Sequence, residues 1–116
     1  DMYRAGVPVL AGSDALTPGV FPGFGLHDEL EQMVIAGFSP AEALRSATLE
    51  PARFLEGTDS LGRIMPGAVA DMVLLDADPL VDIRNTRRIS GVLARGRWFD
   101  RARLDSLLEG AQRAAR

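Results

Sequence analysis

Cysteine and lysine are both absent from this 116-residue sequence, and histidine occurs once. Without cysteine there is no disulfide and no thiolate metal site, so any bound metal would be held through oxygen or nitrogen. All 13 basic residues are arginine, which excludes a Schiff-base amine, a phosphate-loop lysine and a modified-lysine metal bridge. No apolar run approaches the roughly 18 residues that a membrane span requires. No charged-then-apolar leader opens the chain, although its first residues read as the end of a helix and leave open what precedes them. A cytoplasmic protein without membrane contact is the expectation.

What is present fits a folded domain: 47% hydrophobic and 25% charged residues are the proportions of a globular chain rather than a disordered one. Residues 1–57 carry three arginines against eight acids, and residues 58–116 carry ten arginines against eight acids. The arginines of the second half alternate with aspartates and have only Trp98 and Phe99 as aromatic neighbours. That is a solvated mixed surface rather than a phosphate track, so no nucleic-acid partner is expected.

The run Gly6 to Ala11 is continuously apolar and predicts a strand covered on both faces, as in a parallel sheet. Leu16 to Gly25 is rich in proline and glycine and reads as a loop. From Leu26 the period becomes helical, with Leu26, Leu30, Met33 and Val34 on one face, until Gly37 stops it. Ser39 to Glu42, "SPAE", is a capping box that opens a second helix with Ala43, Leu44 and Ala47 inward. Pro51 starts a short helical turn that ends at Gly57. Further on, Leu61 to Ile64 predicts a short extended piece and Pro66-Gly67 a turn. Ala70 to Pro79 holds a strand, and Ile89 to Ala94 with Arg97 to Phe99 form a hairpin about Arg95-Gly96. Asp100 caps a final helix with Leu104, Leu107, Leu108 and Ala111 as its apolar stripe. A lone parallel-type strand some fifty residues from the nearest other strands needs sheet neighbours that these residues do not supply.

Two residues carry chemistry. Asp14 closes the apolar run in "VPVLAGSDA"; it reads either as a turn cap, followed by Thr17-Pro18-Gly19, or as a carboxylate at the site-bearing end of a buried strand. His27 stands at a helix start, 13 positions on, where a surface role competes with a functional one. One acid and one histidine do not make a zinc site, which takes at least three protein ligands. Asp71, Asp76 and Asp78 read as turn residues. There is no phosphate-binding glycine loop, G-x-S-x-G elbow or nucleophile–base–acid set.

Taken in order, "GVPVLAGSD", "LHDELEQMVIAGFSPAEALRSATLEPARFL", "LGRIMPGAVADMVLLDADPL" and "GVLARGRWF" resemble the carboxyl-terminal third of metal-dependent amidohydrolases, in the imidazolonepropionase-like and Xaa-Pro-dipeptidase-like branch. The resemblance implies an α/β fragment: the last strand and helices of a (β/α)8 TIM barrel in residues 1–57, strands of a composite β-sandwich in 58–99, and a C-terminal helix in 100–116. It also implies that Asp14 ligates a divalent metal, zinc by expectation, in the full-length parent and takes the proton of the attacking water. His27 matches a histidine of the branch's "LH-x-EL" segment and is carried over as substrate-binding.

The family's other histidines and its bridging lysine have no counterpart here, so the chain alone is expected to be inactive and to bind zinc poorly. The implied parent hydrolyses carbon–nitrogen bonds outside peptides in a small-molecule substrate such as a cyclic amide. Xaa-Pro dipeptidase-like or deaminase activity is the alternative within the superfamily, and a non-catalytic α/β interaction module the alternative outside it. A homo-oligomer is compatible with the sequence, which leaves the oligomeric state open.

Overall fold

Local signals set the helical half. A computed structural model describes residues 5–15, 17–18, 20–55 and 60–114. Helix α1, Gly25–Ile35, buries Leu30 and Met33 from its predicted apolar face. It ends where Gly37 turns into the left-handed region at φ +107°, which a glycine enters without a Cβ clash. The Gly37 N–H then reaches the Val34 carbonyl at 3.0 Å and the Phe38 N–H the Met33 carbonyl at 3.1 Å, the paired bonds of a Schellman ending.

Two residues later the predicted capping box opens helix α2, Pro40–Ala47. The Ser39 hydroxyl accepts from the Glu42 N–H at 3.3 Å, and the Glu42 carboxylate accepts from the Ser39 N–H at 2.7 Å. Ala43 is fully buried, and Ser46 with it: the Ser46 hydroxyl donates to the Ala43 carbonyl at 2.7 Å, which satisfies a polar group that periodicity does not place inside. A short helix α3, Leu49–Phe54, follows. The predicted stop at Gly57 lies outside the described residues.

The second half is a meander. Strands β1, Met72–Leu75, β2, Ile89–Ala94, and β3, Arg97–Asp100, form an antiparallel sheet in the order β1-β2-β3. Val92 is opposite both Val73 and Phe99, and the register slips once between Leu74 and Leu75. The β2–β3 loop has positive φ at both Arg95, +49°, and Gly96, +75°, the twist that two-residue hairpins favour. The Trp98 indole lies over Gly91 on the neighbouring strand. Asp100 caps helix α4, Arg101–Ala114, by accepting from the Arg103 N–H at 2.8 Å.

Three expectations are corrected. Gly6 to Ala11 is not a strand: no ladder partner lies beside it among the described residues. Instead Val9 and Ala11 pack on the helices while Val7 and Leu10 stay exposed, and the Ala11 N–H donates to the Ser46 carbonyl at 3.0 Å. Leu61 to Ile64 bends rather than extends, because Gly62 turns at φ +71° against the backbone of Thr48 and Leu49, and the Val69 N–H closes the loop on the Ser60 carbonyl at 2.8 Å. The α4 stripe is not inward along its length: the helix packs on β2 and β3 but leaves Leu107 and Leu108 exposed.

A 3₁₀ turn that the sequence did not signal, Ile83–Arg87, joins the halves. Its Ile83 enters the one core of the described residues with Leu30, Met33 and Ala43.

Candidate functional site

The 7–14 segment crosses the helical layer and ends on Asp14, whose side chain is exposed and whose φ is +46°. L-residues pay roughly 1–2 kcal/mol in that region, aspartate and asparagine less than most because their short polar chains bond locally. The turn is closed by the Asp14 backbone carbonyl, which accepts from the Thr17 hydroxyl at 2.9 Å and the Thr17 N–H at 3.3 Å. The carboxylate takes no part in it, and among the described residues no donor or cation reaches it. A turn-cap role would use that carboxylate; among the described residues it bonds to nothing, at a residue with positive φ, the kind of outlier from which function is argued.

Helix α1 backs this tip. A Cβ on Gly25 would fall 2.8 Å from Val20 Cγ1 and 3.2 Å from Ser13 Cβ, so only glycine lets the helix start lie against the residue preceding Asp14. Glu29, one turn on, comes within 3.5 Å of the Gly12 N–H. Neither residue was singled out by the sequence; a glycine opening a helix after a glycine-rich loop was the available signal for Gly25. Gly25→Ala should therefore displace Val20 or Ser13, at about 1–3 kcal/mol for overpacking. Comparing denaturant midpoints of the two proteins gives that figure, and an unaltered midpoint would mean that the contact is slack.

His27 does not face Asp14's turn in any described contact. Its Nδ1 lies 3.0 Å from the Thr86 hydroxyl of the 83–87 turn. With the hydroxyl proton donated to the Ile83 carbonyl at 2.9 Å, a hydrogen bond between the two side chains needs the hydrogen on His27 Nδ1. Thr86 is 5% exposed and His27 half-buried, which makes the bond a partly buried one. At the rim, Arg87 pairs with Asp28 and, at 3.1 Å, with Glu31, all partly or largely exposed.

Burial first, then the positive field of Arg87, hold the His27 imidazole below its ordinary 6.5, against an opposing pull from Asp28. Folding thus favours the neutral ring. The unfolded chain binds more protons than the folded one between the lowered value and 6.5, so stability is full above 6.5 and falls as pH drops through that window. Glu50 and Asp82 are lowered too, chiefly by hydrogen bonds from Arg45 and Arg84 respectively, and their windows lie lower, below 4.5. A stability–pH profile should show the His27 step below 6.5, and His27→Gln should flatten it; a step that survives the substitution would assign it elsewhere.

No three His, Asp or Glu side chains converge among the described residues. Asp14 offers a single carboxylate and the one imidazole is engaged at Thr86 by Nδ1, short of the three protein ligands a zinc ion needs. These residues by themselves do not fit a metal centre.

The model of the family described as "Amidohydrolase family" matches residues 1–99. The chain belongs to that family. An imidazolonepropionase from Streptomyces griseus subsp. griseus is 58% identical over 41 residues, 35% of this chain and 10% of that protein. Adenine deaminase 2 of Jannaschia sp. (strain CCS1) is 45% identical over 51 residues, 44% of this chain and 8% of its own. Among solved structures, a Xaa-Pro dipeptidase with bound methionine in its active site superposes with a TM-score of 0.74 at 32% identity, over 84% of this chain and 23% of that one. The amidohydrolase chain thus spans a tenth or less of the curated relatives named here. Among its described residues no helix is long and apolar enough to cross a membrane.

Proposed function

We propose that this chain serves as the carboxyl-terminal part of a metal-dependent hydrolase that cleaves carbon–nitrogen bonds outside peptides, in small molecules such as cyclic amides. Residues 1–57 would belong to its barrel, 58–99 to a composite sandwich and 100–116 to a terminal helix. The observation that carries the reading is the Asp14 carboxylate, without a partner among the described residues, on a turn that its own backbone closes, within the residues that match the family.

In this reading Asp14 is the proton carrier. Its carboxylate accepts a proton from the attacking water and returns it to the leaving nitrogen, a role that needs a group free of competing donors. A divalent metal, zinc by preference, would supply the activated water in the assembled enzyme; these residues contribute one carboxylate to it, and no step through the metal is derived from them. Deamination is a second reading, favoured by the likeness to adenine deaminase 2 over 51 residues. Assaying the full-length polypeptide on a cyclic amide, an Xaa-Pro dipeptide and adenine, with metal analysis, separates the readings. Turnover of adenine alone would replace hydrolysis of amides by deamination, and turnover of none with no metal bound would sink both.

A further inference from the structure

Among the described residues, the hydrogen bonds that join the 83–87 turn to the helical half all come to α1, the helix that backs Asp14. Apolar packing of Ile83 on Leu30 and Met33 holds the 83–87 turn against α1, but such packing lets a helix rotate or slide by small amounts. The Arg87 pairs with Asp28 and Glu31 are open to solvent and are worth at most about 1 kcal/mol each. The His27–Thr86 bond is different in kind. It is partly buried and its hydroxyl acceptor is anchored in turn on the Ile83 carbonyl, so it fixes both the azimuth of α1 and the tautomer of the ring.

We infer that His27 and Thr86 form a positioning latch, which orients the first turn of α1 and, through Gly25 against Ser13 and Glu29 beside Gly12, sets where the Asp14 tip stands. His27 acts through Thr86 and α1 rather than on substrate, and its Nε2 is left as the lone-pair nitrogen. The inference deepens the reading of Asp14 as the proton carrier and rests on it for its functional meaning, but the latch itself is testable without activity.

The sequence makes the test direct: with one histidine, the imidazole gives a single set of resonances. In the ¹⁵N-labelled chain above pH 6.5, long-range proton–nitrogen correlation should find the hydrogen on Nδ1 and none on Nε2. Thr86→Val, which keeps the volume and removes the hydroxyl, should abolish that preference and shift the backbone amides of Gly12, Ser13 and Asp14. Thr86→Ser should restore both. Should Thr86→Val unfold the chain, His27→Asn decides: its amide keeps a donor near the Nδ1 position, so the 12–14 amides should stay in place.

A hydrogen found on Nε2 in the unaltered chain would overturn the latch. So would unmoved 12–14 amides in Thr86→Val, or displaced ones in Thr86→Ser or His27→Asn. Asp14→Asn should leave the His27 tautomer as it is. If its turnover were also intact in the full-length polypeptide, the proton-carrier reading would fall while the latch stood.

Discussion

Asp14→Asn in the full-length polypeptide should lower turnover about 10²- to 10⁴-fold, the range for losing a positioned general acid–base group. The folded state should hardly notice. Asparagine has the shape of aspartate and tolerates positive φ comparably, and no described bond to the Asp14 carboxylate would be broken. Asp14→Ala is the poorer test, because alanine at φ +46° brings backbone strain of its own and would mix lost chemistry with lost stability. The measurement is kcat beside a denaturant midpoint for both variants. Near-normal kcat in Asp14→Asn would remove the residue from the chemistry and return it to the role of a turn former.

The second large effect is on stability. Gly62→Ala should destabilise the chain by about 2–5 kcal/mol, from two sources that add. Left-handed backbone at φ +71° contributes roughly 1–2 kcal/mol for any residue with a Cβ. Overpacking contributes about 1–3 kcal/mol more, since the new methyl would meet the Thr48 carbonyl and stand 2.7 Å from its carbon and 3.0 Å from Leu49 Cα.

Those neighbours are backbone, so no rotamer change relieves the clash. Against the 5–15 kcal/mol typical of whole domains, that is a large fraction. Gly23→Ala isolates the first source: Gly23 sits at φ +84° with nothing within 4 Å of where its Cβ would be. Circular-dichroism midpoints should rank Gly62→Ala well below Gly23→Ala. Equal midpoints would mean that the 60–63 bend does not rest on the α2–α3 junction.

Features encoded within a few residues were legible before the structure. The capping box at Ser39 and Glu42, the stop at Gly37, the hairpin about Arg95-Gly96 and the cap at Asp100 each rest on short-range hydrogen bonds or on a single φ value, and all four are found. What depends on partners far along the chain was not legible. Gly6 to Ala11 has the composition of a buried strand, but a strand exists only where a ladder forms, and its contacts here are with helices.

The 83–87 turn carries no signal of its own, and nothing local says that Ile83 and Thr86 point inward to meet α1. For the candidate site, Asp14 was visible because it ends an apolar run. Gly25 was not, because its importance is the absence of a side chain beside Ser13, a fact of three-dimensional proximity. His27 was visible by its rarity, while its partner was not.

Trp98, the sole indole, stacks over Gly91 in the β2–β3 ladder and is about half exposed, at 55%. Its emission therefore monitors the hairpin, and its starting spectrum is already that of a partly hydrated ring. The chain thus carries one natural optical probe in the sheet and one magnetic probe, the imidazole, at the seam. Superimposable melting curves from the two would certify a single cooperative unit. Curves that part would show the sheet and the helices coming undone separately.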